Sequence, residues 1–116
     1  MKLFILGGSS FIGNEFVKKA SFSNEVFITY HRHSLIKENF SSIQFSFPEN
    51  FELLKKTIIS EKPDVIINFI ANTNLDYCEN FKENVYELNV IFTERICKLC
   101  NKINSKLIHI STDYVF

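Results

Sequence analysis

Two kinds of apolar pattern alternate along this chain. Residues 3–6, 26–29, 43–45, 64–69 and 107–110 are short strand-like runs. Val65-Ile66-Ile67 is continuous in the manner of a strand buried on both faces. Between these runs lie segments with helical spacing. Ile12, Phe16, Val17 and Ala20 share one face of a helix expected over 11–20. Asn50 can cap a second helix carrying Phe51, Leu54, Ile58 and Ile59, which stops near Lys62-Pro63. A third, over about 82–104, carries the stripe Val85, Leu88, Phe92, Ile96, Leu99 and Ile103. A single helical turn is expected over 34–39, and Phe47-Pro48 ends the third strand. Strand–helix alternation with right-handed crossovers gives an α/β, doubly wound parallel sheet of five strands in the order 3-2-1-4-5. The usual sixth strand is absent, so the sheet reads as truncated before it.

A length of 116 residues allows one domain, 1–116. The 46% apolar content can fill a core, which excludes intrinsic disorder. A formal net charge of zero offers no electrostatic footprint for a nucleic acid or an anionic membrane, and neither is expected as a partner. No apolar run approaches the length of a bilayer span, and Met1-Lys2 leads straight into the first strand, so no signal peptide is expected. Three cysteines fit a reducing cytosol, and the expected location is cytoplasmic. Cys97 and Cys100 form a CxxC pair inside a helix, where packing is the better reading than redox chemistry.

Candidate chemistry gathers at the strand ends. The first strand runs into Gly7-Gly8-Ser9-Ser10-Phe11-Ile12-Gly13, a strand–turn–helix layout that can hold a diphosphate at a helix N-terminus. Gly7 fits the tight turn and Gly13 close helix–strand packing; Ser9, Ser10, Phe11 and Ile12 would lie against the diphosphate. An ordinary βα loop is the alternative. The second strand ends Thr29-Tyr30-His31-Arg32-His33, with no acid to take ribose hydroxyls. The Arg32 guanidinium suits a 2′-phosphate, which favours NADP(H) over NAD(H) and makes His31 and Arg32 cofactor candidates. A solvated surface arginine is the competing reading. Ser46 and Phe47, beyond the third strand, join the cofactor candidates. His31 and His33 have no third ligand in sight, so no metal site is expected.

These strings carry a family resemblance. Gly7 to Gly13 resembles the GxxGxxG turn of the extended short-chain dehydrogenase/reductases, except that Ser10 replaces the middle glycine. If that position needs a left-handed backbone, serine costs about 1–2 kcal/mol. Asp64 to Thr73, followed by Leu75-Asp76-Tyr77-Cys78-Glu79, is similar to the corresponding stretch of dTDP-4-dehydrorhamnose reductases and their relatives. Ser111-Thr112-Asp113-Tyr114-Val115-Phe116 resembles a string of the same sugar-nucleotide reductases. The resemblance implies a Rossmann-like fold in which Phe69, Ile70, Ala71 and Asn72 line the cofactor, although Phe69 and Ile70 are bulkier than the residues usual there. It implies a structural role for Asn89. It also implies that the Thr112 hydroxyl bonds the substrate carbonyl with Asp113 close by, beside a Tyr-x-x-x-Lys pair that these residues do not contain.

The implied function is the N-terminal cofactor-binding part of an NADP(H)-dependent oxidoreductase, with NAD(H) as the alternative cofactor. Hydride would pass to a nucleotide-linked keto-sugar such as dTDP-4-dehydrorhamnose, and the 116 residues alone would be inactive. A non-catalytic nucleotide-binding regulatory module and an NAD-dependent epimerase or dehydratase are the alternatives. A small-molecule nucleotide-sugar is the expected partner, and self-association is left open.

Overall fold

In the computed structural model, which describes residues 1–8, 11–30, 41–70 and 90–110, β1 (Lys2–Leu6) forms the centre of the sheet. It is flanked by β2 (Glu25–Tyr30) and β4 (Val65–Asn68). The outer strands are β3 (Ser41–Gln44) and β5 (Lys106–His109). All four pairings are parallel, and the order is the expected 3-2-1-4-5.

Alternation along β1 sends its side chains into two cores. Phe4 and Leu6 join Leu54 and Ile58 of α2 (Phe51–Glu61) and Phe92 and Ile96 of α3 (Phe92–Ile103) on one face. Leu3 and Ile5 join Val26, Ile28, Val65, Ile67 and Val17 of α1 (Phe11–Ala20) on the other. The sheet is thus covered on both sides, which is why its central strands carry the continuous apolar runs Leu3–Leu6, Val26–Ile28 and Val65–Ile67. Phe4 stacks on Phe27 at 4.8 Å, and Phe92 sits among Phe45, Phe47 and Phe51.

Several details depart from the sequence reading. The third strand lies at 41–44 rather than 43–45, though the Phe45 N–H still donates to the Tyr30 carbonyl at 2.8 Å. Asn50 stands at the start of α2, but its side chain does not cap the helix; Oδ1 accepts the Ser46 N–H instead. Ile59, one of the apolar residues of the expected second helix, is exposed, whereas Phe51, Leu54 and Ile58 are buried. It neighbours Ile58 in sequence, and one helix turn cannot aim both inward. Phe16 is also partly exposed, at 36%, with its ring against Phe69. The fourth strand is shorter than expected and the fifth covers Lys106–His109. The expected turn at 34–39, and Val85 and Leu88 of the third stripe, lie outside the described residues. Phe92, Ile96 and Leu99 of that stripe are buried.

α2 and α3 end alike. Lys62 and Asn104 adopt left-handed dihedrals, and their N–H groups donate to Ile58 and Cys100 carbonyls. Among the described residues, no helix is long and apolar enough to cross a membrane.

Candidate functional site

The C-terminal edge of a doubly wound sheet is where ligands bind, and here it is built around two buried polar side chains. Thr29 near the end of β2 and Asn68 at the end of β4 are 1% and 0% exposed. Burial of such groups is costly unless they are hydrogen-bonded, so each must have partners.

Thr29 anchors the glycine turn. Its Oγ1 accepts the Gly7 N–H at 2.9 Å, and its carbonyl accepts the Gly8 N–H at 3.0 Å. Gly7 has φ +81°, a left-handed conformation that glycine adopts without strain. A Cβ there would stand 3.1 Å from Ile70 Cγ1, and one on Gly8 would stand 2.9 Å from Ile28 Cβ. The turn is therefore wedged between the ends of β2 and β4, with no room for a side chain at Gly8. α1 begins at Phe11 with no acidic residue in its first turn, so its positive end carries no competing carboxylate. The Gly7 and Gly8 amides already bond Thr29.

Asn68 joins β4 to β5. Its Oδ1 accepts the Ile70 N–H at 2.9 Å, its Nδ2 lies 3.2 Å from His109 Nδ1, and its carbonyl accepts the Ile110 N–H at 3.0 Å. Phe69 follows the edge, its N–H donating to the Leu6 carbonyl.

A family model described as the RmlD substrate binding domain matches residues 1–116. The chain belongs to that family. Its curated relatives include the dTDP-4-dehydrorhamnose reductase of Escherichia coli, 40% identical over 72 residues (62% of this chain, 23% of the relative). The enzyme of the same name from Aggregatibacter actinomycetemcomitans is 29% identical over 115 residues, 99% of this chain and 36% of the relative. The chain thus spans about a third or less of these relatives. Among solved structures, a hypothetical dTDP-4-dehydrorhamnose reductase from Sulfolobus tokodaii superposes with a TM-score of 0.86 at 35% identity, covering 100% of this chain and 41% of that one. A UDP-glucose 4-epimerase from Brucella ovis in complex with NAD shares the fold at 18% identity, with a TM-score of 0.80, over 93% of this chain and 34% of that one.

In this RmlD-family chain, the structure brings Gly7 and Ile70 together at the sheet edge. Phe69 sits beside them, touching Phe16 of α1. Gly13 lies buried in α1, and Phe11 and Ile12 form the first turn of that helix. Ser46 and Phe47 follow β3. The Ser46 amide is tied to Asn50, and the Phe47 ring packs on Phe51 and Phe92 with the Arg95 guanidinium 5.6 Å above it. Ser9, Ser10, His31, Arg32, Ala71, Asn72, Thr112 and Asp113 lie outside the described residues, as does Asn89. Gly8, Thr29, Asn68 and His109 went unnoticed in the sequence as site builders. One signal was available for Asn68: it is the polar member of the otherwise apolar run Val65–Phe69, and a polar group in a doubly buried strand must be bonded. Thr29 gave no such signal, because a β-branched residue is ordinary strand material.

Proposed function

We propose that residues 1–116 form the NADP(H)-binding domain of a sugar-nucleotide reductase, whose substrate is a nucleotide-linked keto-sugar of the dTDP-4-dehydrorhamnose class. The observation that carries this reading is the glycine turn, held by Thr29 against the ends of β2 and β4 and leading into α1. The residues present fit a diphosphate: the glycine turn packs directly on the ends of β2 and β4 ahead of α1, and the helix start is free of acids. In this reading Ser9 to Ile12 hold the diphosphate, Gly13 lets the helix pack closely on the strand, and Arg32 with His31 receives the 2′-phosphate. Ser46, Phe47 and Phe69 to Asn72 line the remainder. The names of the relatives supply the substrate class.

When bound, the dihydronicotinamide supplies a hydride for the substrate's carbonyl carbon. The negative charge that develops on the carbonyl oxygen needs a hydrogen-bond donor and then a proton. Thr112 is the donor in this chain, with Asp113 beside it. A Tyr-x-x-x-Lys proton source does not occur within these 116 residues. The chain by itself is therefore expected to oxidise no NADPH with a keto-sugar, and ketone-dependent oxidation would contradict this.

The test is a fluorescence titration of the chain with NADPH and NADH. Preference for NADPH is expected, and Arg32→Asp should move the ratio of affinities towards NADH by about tenfold, roughly 1.4 kcal/mol. Absence of binding by both dinucleotides overturns the reading, and an unchanged ratio removes Arg32 from the site.

A further inference from the structure

The buried amide of Asn68 faces two different groups, and only one assignment of its atoms satisfies both. A backbone N–H can only donate, so the atom 2.9 Å from the Ile70 nitrogen is the oxygen. The atom 3.2 Å from His109 Nδ1 is then the NH2 nitrogen, itself a donor. His109 Nδ1 must accept. An imidazole accepting at Nδ1 is neutral and carries its proton on Nε2.

We infer that Asn68 and His109 are a positioning pair, in which Asn68 fixes His109 as the Nε2–H tautomer and the two together set the direction in which the chain leaves β5. Asn68 and His109 are register partners across β4 and β5, so the side-chain bond lies over the last rung of the ladder. The Ile110 N–H closes the next step onto the Asn68 carbonyl. One residue therefore holds both His109 and Ile110. The same side chain holds the Ile70 amide, and Ile70 abuts Gly7. The end of β5 is in this way referenced to the glycine turn through a single buried amide. Thr112 follows His109 by three residues, so what the pair positions rests on the proposed reductase reading. His109 is exposed, which leaves Nε2–H as a donor at the ligand edge.

Nitrogen-15 NMR of the histidine-labelled chain, at a pH well above the ordinary histidine range, reads the tautomer directly. The expected result is an unprotonated Nδ1 and a protonated Nε2. An Nδ1–H ring, or rapid averaging between tautomers, overturns the inference. Asn68→Asp replaces the NH2 donor with a carboxylate acceptor and should move the proton to Nδ1; an unchanged tautomer in a folded variant also overturns it. If that variant does not fold, the wild-type spectrum still decides. His109→Asn keeps an acceptor near the Nδ1 position and should retain Ile110 amide-exchange protection within about twofold. His109→Leu should lose about fivefold, the worth of one ordinary hydrogen bond. Equal protection in both variants counts against the pair. NADPH titration of the same samples separates the two readings. An Nδ1–H ring in a chain that binds NADPH removes the pair alone. The Nε2–H ring in a chain that binds no dinucleotide keeps the pair and removes the function it would serve.

Discussion

Gly7 and Thr29 are joined across 22 positions of sequence by a 2.9 Å hydrogen bond, from a backbone N–H to a hydroxyl that is almost wholly buried. The hydroxyl does for the turn what a backbone carbonyl does within a sheet. Thr29→Val keeps the shape and removes the acceptor. It should cost about 1–3 kcal/mol, because the Gly7 donor is left without a partner in a partly buried place. Thr29→Ser should retain most of the stability. Urea unfolding of the three proteins checks this, and equal midpoints for wild type and Thr29→Val would show the bond to be idle.

Gly8→Ala tests how tightly the turn is wedged. Its Cβ would stand 2.9 Å from both Cβ and Cγ2 of Ile28, and Ile28 Cβ is fixed to a strand backbone that cannot yield cheaply. A loss of about 1–3 kcal/mol is expected, read as a lower urea midpoint at unchanged slope. Gly7→Ala fails for a different reason. Its neighbour Ile70 Cγ1 can shift, but φ +81° costs an L-residue about 1–2 kcal/mol.

Phe92 is the hub of the aromatic cluster, with ring centroids 5.3, 5.2 and 6.3 Å from Phe45, Phe47 and Phe51. It ties α3 to α2 and to the loop after β3. Phe92→Ala should remove about 3–5 kcal/mol, a large share of the roughly 5–15 kcal/mol by which an ordinary domain is stable. Circular dichroism with thermal melting measures it, and a loss below about 1 kcal/mol would mean that α3 is not docked as described.

Cys97 and Cys100 differ in burial and should differ in reactivity. Burial pushes the Cys100 thiol up to about 11, while Cys97 is exposed. Iodoacetamide at mildly alkaline pH should label Cys97 first. Trypsin cuts after Arg95, Lys98 and Lys102, so mass spectrometry reads the two on separate peptides. The sign of the stability effect follows. A folded-state value above the unfolded 9.0 stabilises the fold while the thiol is protonated in both states. That increment is present below pH 9 and is lost as pH rises towards 11. Cys100→Ala should flatten this alkaline decline, and an identical decline in both proteins would assign it elsewhere.

Much of the architecture was legible because it rests on local periodicity. The continuous run Val65-Ile66-Ile67 announced a strand covered on both faces, and both cores meet it: Ile66 in one, Val65 and Ile67 in the other. The span of α1 also followed from the spacing of its apolar residues. Where two adjacent apolar residues competed for one helix face, as Ile58 and Ile59 do, composition could not say which would be buried. Asn50 shows the same limit in polar chemistry. A cap residue in the right place had a competing partner in the Ser46 amide, and that partner is brought near only by the fold of the loop.

By itself the sequence determined the alternation of elements, the five-strand order and the glycine turn after β1, since these depend on period, crossover handedness and backbone freedom near each residue. Tertiary structure alone decided which atoms hold that turn and the sheet edge. Thr29 reaches back to Gly7, and Asn68 reaches across to His109, 41 positions away. Such bonds join strands that are neighbours only in space, and a hydrogen bond's dependence on ångström distances leaves no trace in the linear order of residues.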